Sequence, residues 1–239
     1  METKVIVTTS WDDGHKLDIK LSGLLRQYSL QGTIYYAPHN REWNEDELLS
    51  LDEVINISHE FEIGGHTMTH PDLTKVSIEK AKNEIEDSRL FLQDLLQTEV
   101  NSFCYPKGRF NVSIKKAVQE SGYKNARTVE RFCFGIKDKF AAGTSVNTYQ
   151  HYQDILRVWQ FSDWNISKAI RSWDWGELAK QMFDYVLENG GVFHLWGHSW
   201  EIEENNDWER LEEVFEYISR RKDVKYLNFS DAVEESESK

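Results

Sequence analysis

Ser10-Trp11-Asp12-Asp13-Gly14 closes the first apolar run of the chain, Val5-Ile6-Val7, after Thr8 and Thr9. A β-branched run that stops at two adjacent acids and a glycine reads as a buried strand emptying into a turn. Neighbouring residues of an extended segment point to opposite sides. The two acids therefore serve separate tasks at one place only if the chain bends, and Gly14 permits a bend. An Asp-Asp-Gly turn is also an ordinary way to end a strand, so the remaining residues decide between a turn and a site.

Outward from this stretch, strands alternate with helices. Leu17, Leu21, Leu24 and Leu25 recur at helical spacing, and a β-rich run follows at 33–37. Asn44 is placed to cap a helix carrying Leu48, Leu51, Val54 and Ile55. A short strand at 61–63 stops at Gly64-Gly65, and Ser77 or Thr74 caps a long helix reaching residue 97. A strand at 102–105, a helix ending at Gly122 and a strand at 125–129 come next. Residues 131–174 show no clean period, with a candidate strand at 155–159. A helix at 178–187, a strand at 192–196, a helix opened by Asp207 and a strand at 224–229 complete the pattern. The acidic tail 234–239 reads as frayed. Such alternation calls for a parallel sheet or a β/α barrel, whose chemistry gathers at the C-terminal ends of the strands. Asp12-Asp13, His66, Tyr105-Pro106 and His198 each follow an expected strand.

The 239 residues suit one large domain or two small ones, and carry a formal net charge of −13 with no long basic block. That balance argues against nucleic acid or an anionic membrane surface as partner. No run approaches the roughly 18 apolar residues of a membrane span. The N-terminus shows no signal-peptide pattern, so the chain as written is expected in the cytoplasm, or outside the cell if a signal peptide was removed. Cys104 and Cys133 make no disulfide framework.

His66-Thr67-Met68-Thr69-His70 sets two imidazoles four residues apart, and one helical turn would aim both at a shared metal. Asp12 or Asp13 would complete a set of two histidines and one carboxylate, with positions open for water and substrate.

These stretches, with Phe103-Cys104-Tyr105-Pro106-Lys107-Gly108 and a late strand ending in histidine, resemble the polysaccharide deacetylase family (carbohydrate esterase family 4, the nodulation-deacetylase homology domain). The likeness runs in order from Val5 to Phe229. It implies an α/β fold, a distorted (β/α) barrel of about seven parallel strands, forming a single domain over 1–239 with an irregular insertion at 131–174. It also implies removal of N-acetyl groups from an amino-sugar glycan or oligosaccharide by attack of a metal-bound water. Zinc is the first expectation for the metal, with cobalt or manganese as alternatives. By the family pattern, Asp13, His66 and His70 hold the metal, Asp12 is the general base, and the backbone N–H of Lys107 meets the oxyanion. The protonating acid is His198, past the strand end, with His194 inside the apolar run as the alternative. Tyr105, Pro106, Leu195, Trp196 and Trp200 are the expected substrate contacts. Tyr35, Tyr36, Trp43, Trp164 and Trp173 are further candidate sugar platforms, and Asn40 and Arg41 further polar contacts.

Two departures stand out. Cys104, read as a small core residue, occupies the place of an arginine that usually orients the base; Arg109, Arg127 and Arg157 are the substitutes on offer. The family's aspartate-tryptophan pair has two candidates, Asp163-Trp164 and Asp174-Trp175. Two other functions remain open: hydrolysis of another C–N bond, in a formamide or cyclic ureide, and glycan binding without catalysis.

Overall fold

The computed structural model of the chain describes residues 5–150, 154–162 and 164–238. Strand β1 (Val5–Trp11) leads through α1 (Asp18–Gln27) to β2 (Gly32–Tyr36). Then come α2 (Leu51–Ser58), β3 (Glu62–Gly65), α3 (Ile78–Leu96), β4 (Ser102–Cys104), α4 (Val112–Glu120) and β5 (Asn125–Arg127). The second half contains β6 (Val146–Asn147), α5 (Ile155–Phe161), α6 (Ile166–Arg171), α7 (Trp175–Asn189), β7 (Gly191–Gly197), α8 (Ser199–Glu204), α9 (Trp208–Ile218), β8 (Val224–Tyr226) and α10 (Phe229–Glu237). Seven parallel strands run in the order β5-β4-β3-β2-β1-β7-β6, and β8 pairs with β1. They form a half-barrel dressed with helices, as expected. Among the described residues no helix is long and apolar enough to cross a membrane.

β1 is buried along its whole length. One edge pairs with β7 from Val5↔Gly191 to Trp11↔Gly197. The other edge is shared: β8 takes Val5 to Val7, and β2 takes Thr9 to Trp11. A strand covered on both faces and both edges must be nearly all apolar or hydroxyl-bearing, which is what the opening run supplies. The expected cap at Ser77 is present, and two outside the sequence expectation join it. The Ser50 side chain accepts from Glu53 N, Ser77 from Lys80 N and Asn111 from Ile114 N.

The differences have tertiary causes. Asn44 opens only one tight turn, Glu45–Glu47, because the backbone beyond it pairs with the turn after β1: Leu49 N donates to Gly14 O, and Leu48 bridges His15. Residues 155–159 are helical, within α5, rather than extended. The closing work in 131–174 is done earlier. Thr128 N donates to Ala142 O at 2.8 Å and Ser145 N to His194 O at 2.9 Å, so this stretch is knitted between β5 and β7 by backbone hydrogen bonds. Main-chain pairing of that kind leaves no side-chain period to read. β8 ends at Tyr226 instead of 229, and the tail expected to fray from Glu234 continues α10 to Glu237.

Phe229, fully buried at the start of α10, packs against His194 with ring centroids 5.3 Å apart. Phe229→Ala is expected to cost about 3–5 kcal/mol in urea unfolding. Trp164→Ala, at a side chain 64% exposed, should stay within about 0.5 kcal/mol.

Candidate active site

The bend at the end of β1 falls on Asp13, whose φ is 79°, followed by Gly14 at 68°. A Cβ on Gly14 would lie 2.2 Å from the Tyr36 ring, so the turn requires glycine for space as well as for φ. Asp12 N still donates to Gly197 O at 3.1 Å and keeps the strand register. The two carboxylates therefore part company. Asp12 turns to β5, where Arg127 Nη2 donates to its Oδ1. Its Oδ2 accepts from Cys104 Sγ at 3.4 Å. Burial works to raise the Asp12 carboxyl, but the Arg127 guanidinium, helped by His66 and His198, holds it down at about 2. Arg127 is thus the one of the three candidate arginines that meets Asp12, and it reaches there beside the small Cys104 side chain, 3.0 Å from its sulfur.

Asp13 faces the histidines. Its Oδ1 lies 3.7 Å from His66 Nε2 and 3.4 Å from His70 Nε2, and its Oδ2 accepts from Trp200 Nε1 at 2.9 Å. The His66–His70 segment is not the helical turn expected. Thr67 and His70 have positive φ, 66° and 54°, and the bend is held by Thr67 Oγ1 accepting His70 N and by Glu84 accepting Thr69 N and Thr69 Oγ1. The rings still meet, with centroids 4.8 Å apart. His66 Nδ1 sits 2.8 Å from Cys104 O, which fixes the proton there and leaves Nε2 as an acceptor. Burial and the neighbouring His70 push His66 down to about 4, so it is neutral and ready to bind a cation. Burial works to raise Asp13, but His198, His70 and His66 together hold it low.

β7 delivers His198 as the residue that caps α8. Its Nδ1 lies 2.5 Å from Glu201 Oε2 and its Nε2 3.9 Å from Asp13 Oδ2. Burial pulls His198 down, yet the hydrogen bond to Glu201 and the charges of Asp13, Glu201 and Asp12 raise it to about 9. His194 is different. It is buried, its Nε2 is 2.8 Å from Ser10 Oγ, and burial plus Arg127 drive it well below the usual range. It is neutral and is not among the residues that line the cavity over the two acids.

A cavity of about 280 Å³ opens over these groups, lined by both acids, His66, His70, His198, Trp196 and Trp200, with Glu42, Lys107, Val129, Arg131, Tyr149 and Glu201. Tyr105, Pro106 and Leu195 are not among the lining residues. The Tyr105 hydroxyl donates to Phe140 O and its ring stacks on Phe110; Leu195 is core. Lys107 has φ 58° in the turn after β4. Tyr35 and Tyr36 are buried, while Trp43 packs against Trp200 at 5.2 Å. Asn40 Nδ2 donates to Asp13 Oδ1 at 3.4 Å. Asp174 caps α7 and Trp175 Nε1 donates to Asp207, structural duties both; Asp163 lies outside the described residues. Sequence reasoning missed Glu201, Glu42, Glu84, Arg131 and Tyr149. Glu201 alone left a signal, three residues beyond His198 in a helical start.

A profile of the family described as polysaccharide deacetylase matches residues 1–126. A peptidoglycan-N-acetylglucosamine deacetylase of Bacillus cereus is 30% identical over 121 residues, covering 50% of this chain and 54% of that protein. The chain spans about half the length of the curated relatives it matches. A Mycobacterium smegmatis structure described as a polysaccharide deacetylase superposes with a TM-score of 0.72 at 14% identity, covering 100% of this chain and 92% of that one. The chitin deacetylase of Colletotrichum lindemuthianum gives 0.62 at 14% identity, covering 97% and 88%. At these identities the structural likeness speaks to the fold.

Arg127→Met would leave Asp12 buried without its counter-charge, a loss of about 3–5 kcal/mol at neutral pH. Asp12 is depressed in the folded chain, so its paired carboxylate stabilises at neutral pH and that contribution fades as pH falls toward about 2. Denaturation at a series of pH values should show the gap between wild type and variant narrowing as acid is added.

Proposed function

The chain belongs to the polysaccharide deacetylase family, and we propose that it is a metal-dependent hydrolase removing N-acetyl groups from an amino-sugar glycan or oligosaccharide. The observation that carries this reading is the division of two adjacent carboxylates between a guanidinium and a pair of imidazoles. The donor set Asp13, His66 and His70 fits a divalent cation. Ligand bonds of 2.0–2.2 Å in a tetrahedral site put donors about 3.3–3.6 Å apart, and the separations of 3.4 and 3.7 Å are close to that. Zinc suits such nitrogen and oxygen donors, as do cobalt and manganese. A bound cation would polarise the acyl carbonyl and lower the pKa of water at the site.

The chain's own groups supply the rest. Asp12, ionised and held by Arg127 and Cys104, accepts the proton of the attacking water. The backbone N–H of Lys107 donates to the developing oxyanion. His198, kept protonated by Glu201, gives its proton to the leaving amine. A cation on Asp13 would offset that carboxylate's pull on His198, leaving Glu201 as its chief support. Trp196 and Trp200 line a space on the scale of one acylated sugar ring. The Bacillus cereus relative, a peptidoglycan-N-acetylglucosamine deacetylase, supports this choice of substrate. Arg127 in the orienting role supports catalysis over glycan binding alone.

Acetate release from N-acetylglucosamine oligomers tests the reading. Chelation should abolish it and added zinc, cobalt or manganese restore it. Asp12→Asn should lower kcat by about 10²–10⁴; near-normal turnover would remove Asp12 as base. Turnover of small cyclic amides with none of acetylated glycans would overturn the substrate. Activity needs Asp12 ionised and His198 protonated, so the pH profile should be flat through neutrality and fall as pH rises toward about 9. Glu201→Gln removes a group that raises His198, and the alkaline limb should move to lower pH.

A further inference from the structure

We propose that Glu42 is a positioning residue of the metal site, fixing the Nδ1 proton of His70 so that Nε2 is free for the cation, an inference that rests on the metal reading above. The two histidines differ in what holds them. His66 Nδ1 is fixed on the main-chain carbonyl of Cys104 at 2.8 Å. His70 Nδ1 is buried and makes no hydrogen bond among the described residues. The group beside it is Glu42 Oε2, 3.2 Å away. That distance is within hydrogen-bond reach. A reorientation of the imidazole or of the carboxylate would bring Nδ1–H onto Oε2.

Glu42 is itself restrained. Its Oε1 accepts from Lys107 Nζ at 2.5 Å. Its backbone N–H donates to Asn40 Oδ1 at 3.0 Å, and Asn40 in turn donates to Asp13. The loop after β2 is therefore tied at three points to groups around the cation position: His70, Asp13 and the turn carrying Lys107. A carboxylate behind a metal-binding imidazole fixes its tautomer and raises its basicity, and losing such a partner costs 10–100-fold in metal affinity. Glu42 is half-exposed, its side chain 45% accessible, so its removal opens no cavity in the core.

The test is zinc affinity of the full chain, measured by competition with a chromophoric chelator. Glu42→Ala should weaken zinc binding about 10–100-fold while leaving the thermal midpoint of the metal-free protein unchanged. Glu42→Gln, which keeps an acceptor oxygen, should fall between the two. Imidazole ¹⁵N shifts give a readout that mere damage to the fold would not move: His70 in the metal-free wild type should carry its proton on Nδ1, and Glu42→Ala should shift that tautomer toward Nε2–H. Glu42→Ala binding zinc within twofold of wild type, while Asp13→Asn loses it, overturns the role of Glu42 and leaves the metal site standing. A wild type that binds no divalent metal overturns both.

Discussion

Arg127 and Asp12 form an ion pair in the interior, with side chains 0% and 4% accessible. In the strand order β5-β4-β3-β2-β1, they sit at opposite ends of a run of five. In a flat sheet those ends would be about 19 Å apart at 4.8 Å per strand. Contact between them demands that the sheet curl. Taking two charges out of water costs several kcal/mol for each, and the surroundings repay it. The guanidinium lies 5.1 Å from the Tyr35 ring centroid and 4.9 Å from that of Trp196, donates to Thr128 O, and meets the Cys104 sulfur. Curvature, core packing and the orientation of one acid are thus a single constraint.

That constraint also separates two acids that are neighbours in sequence. Both carboxyls are buried and both are held low, but by different partners: Arg127 leads for Asp12, and three imidazoles do so for Asp13. A positive-φ residue at Asp13 is the local cost, and the pairing of Asp12 N with Gly197 O keeps the strand regular up to that point. His198, raised by its own glutamate, closes the circuit from the opposite side.

Much of this was legible beforehand because it follows side-chain period and strand ends. The apolar run into Asp12, the glycine pair before His66, and the position of His198 past its strand all carry local signals. The failures share a different origin. The His66–His70 bend is shaped by Thr67 and by Glu84 from α3, contacts that no spacing rule contains. The stretch 131–174 joins β5 to β7 through backbone hydrogen bonds, which leave no mark on residue choice. Leu48 and Leu49 look like helix and are held extended by the turn after β1. Arg127 stood among three equal arginines, and only the curl of the sheet singles it out.

The sharing of one edge of β1 between β2 and β8, with β7 along the other, bears on how the molecule comes into being. Of the three strands beside β1, two, β7 and β8, come last among the described strands, beyond every helix from α1 to α7. During translation, β1 leaves the ribosome ahead of these strands and waits with one edge open and the other half-covered. Such long-range pairings are slow to form and leave strand edges exposed in the meantime. The family profile ends at residue 126, yet a nascent chain of that length has no Gly197 to receive Asp12 and no His198. His198 and the partner that fixes the final register of β1 arrive together with β7, so a chain cut before that strand lacks both.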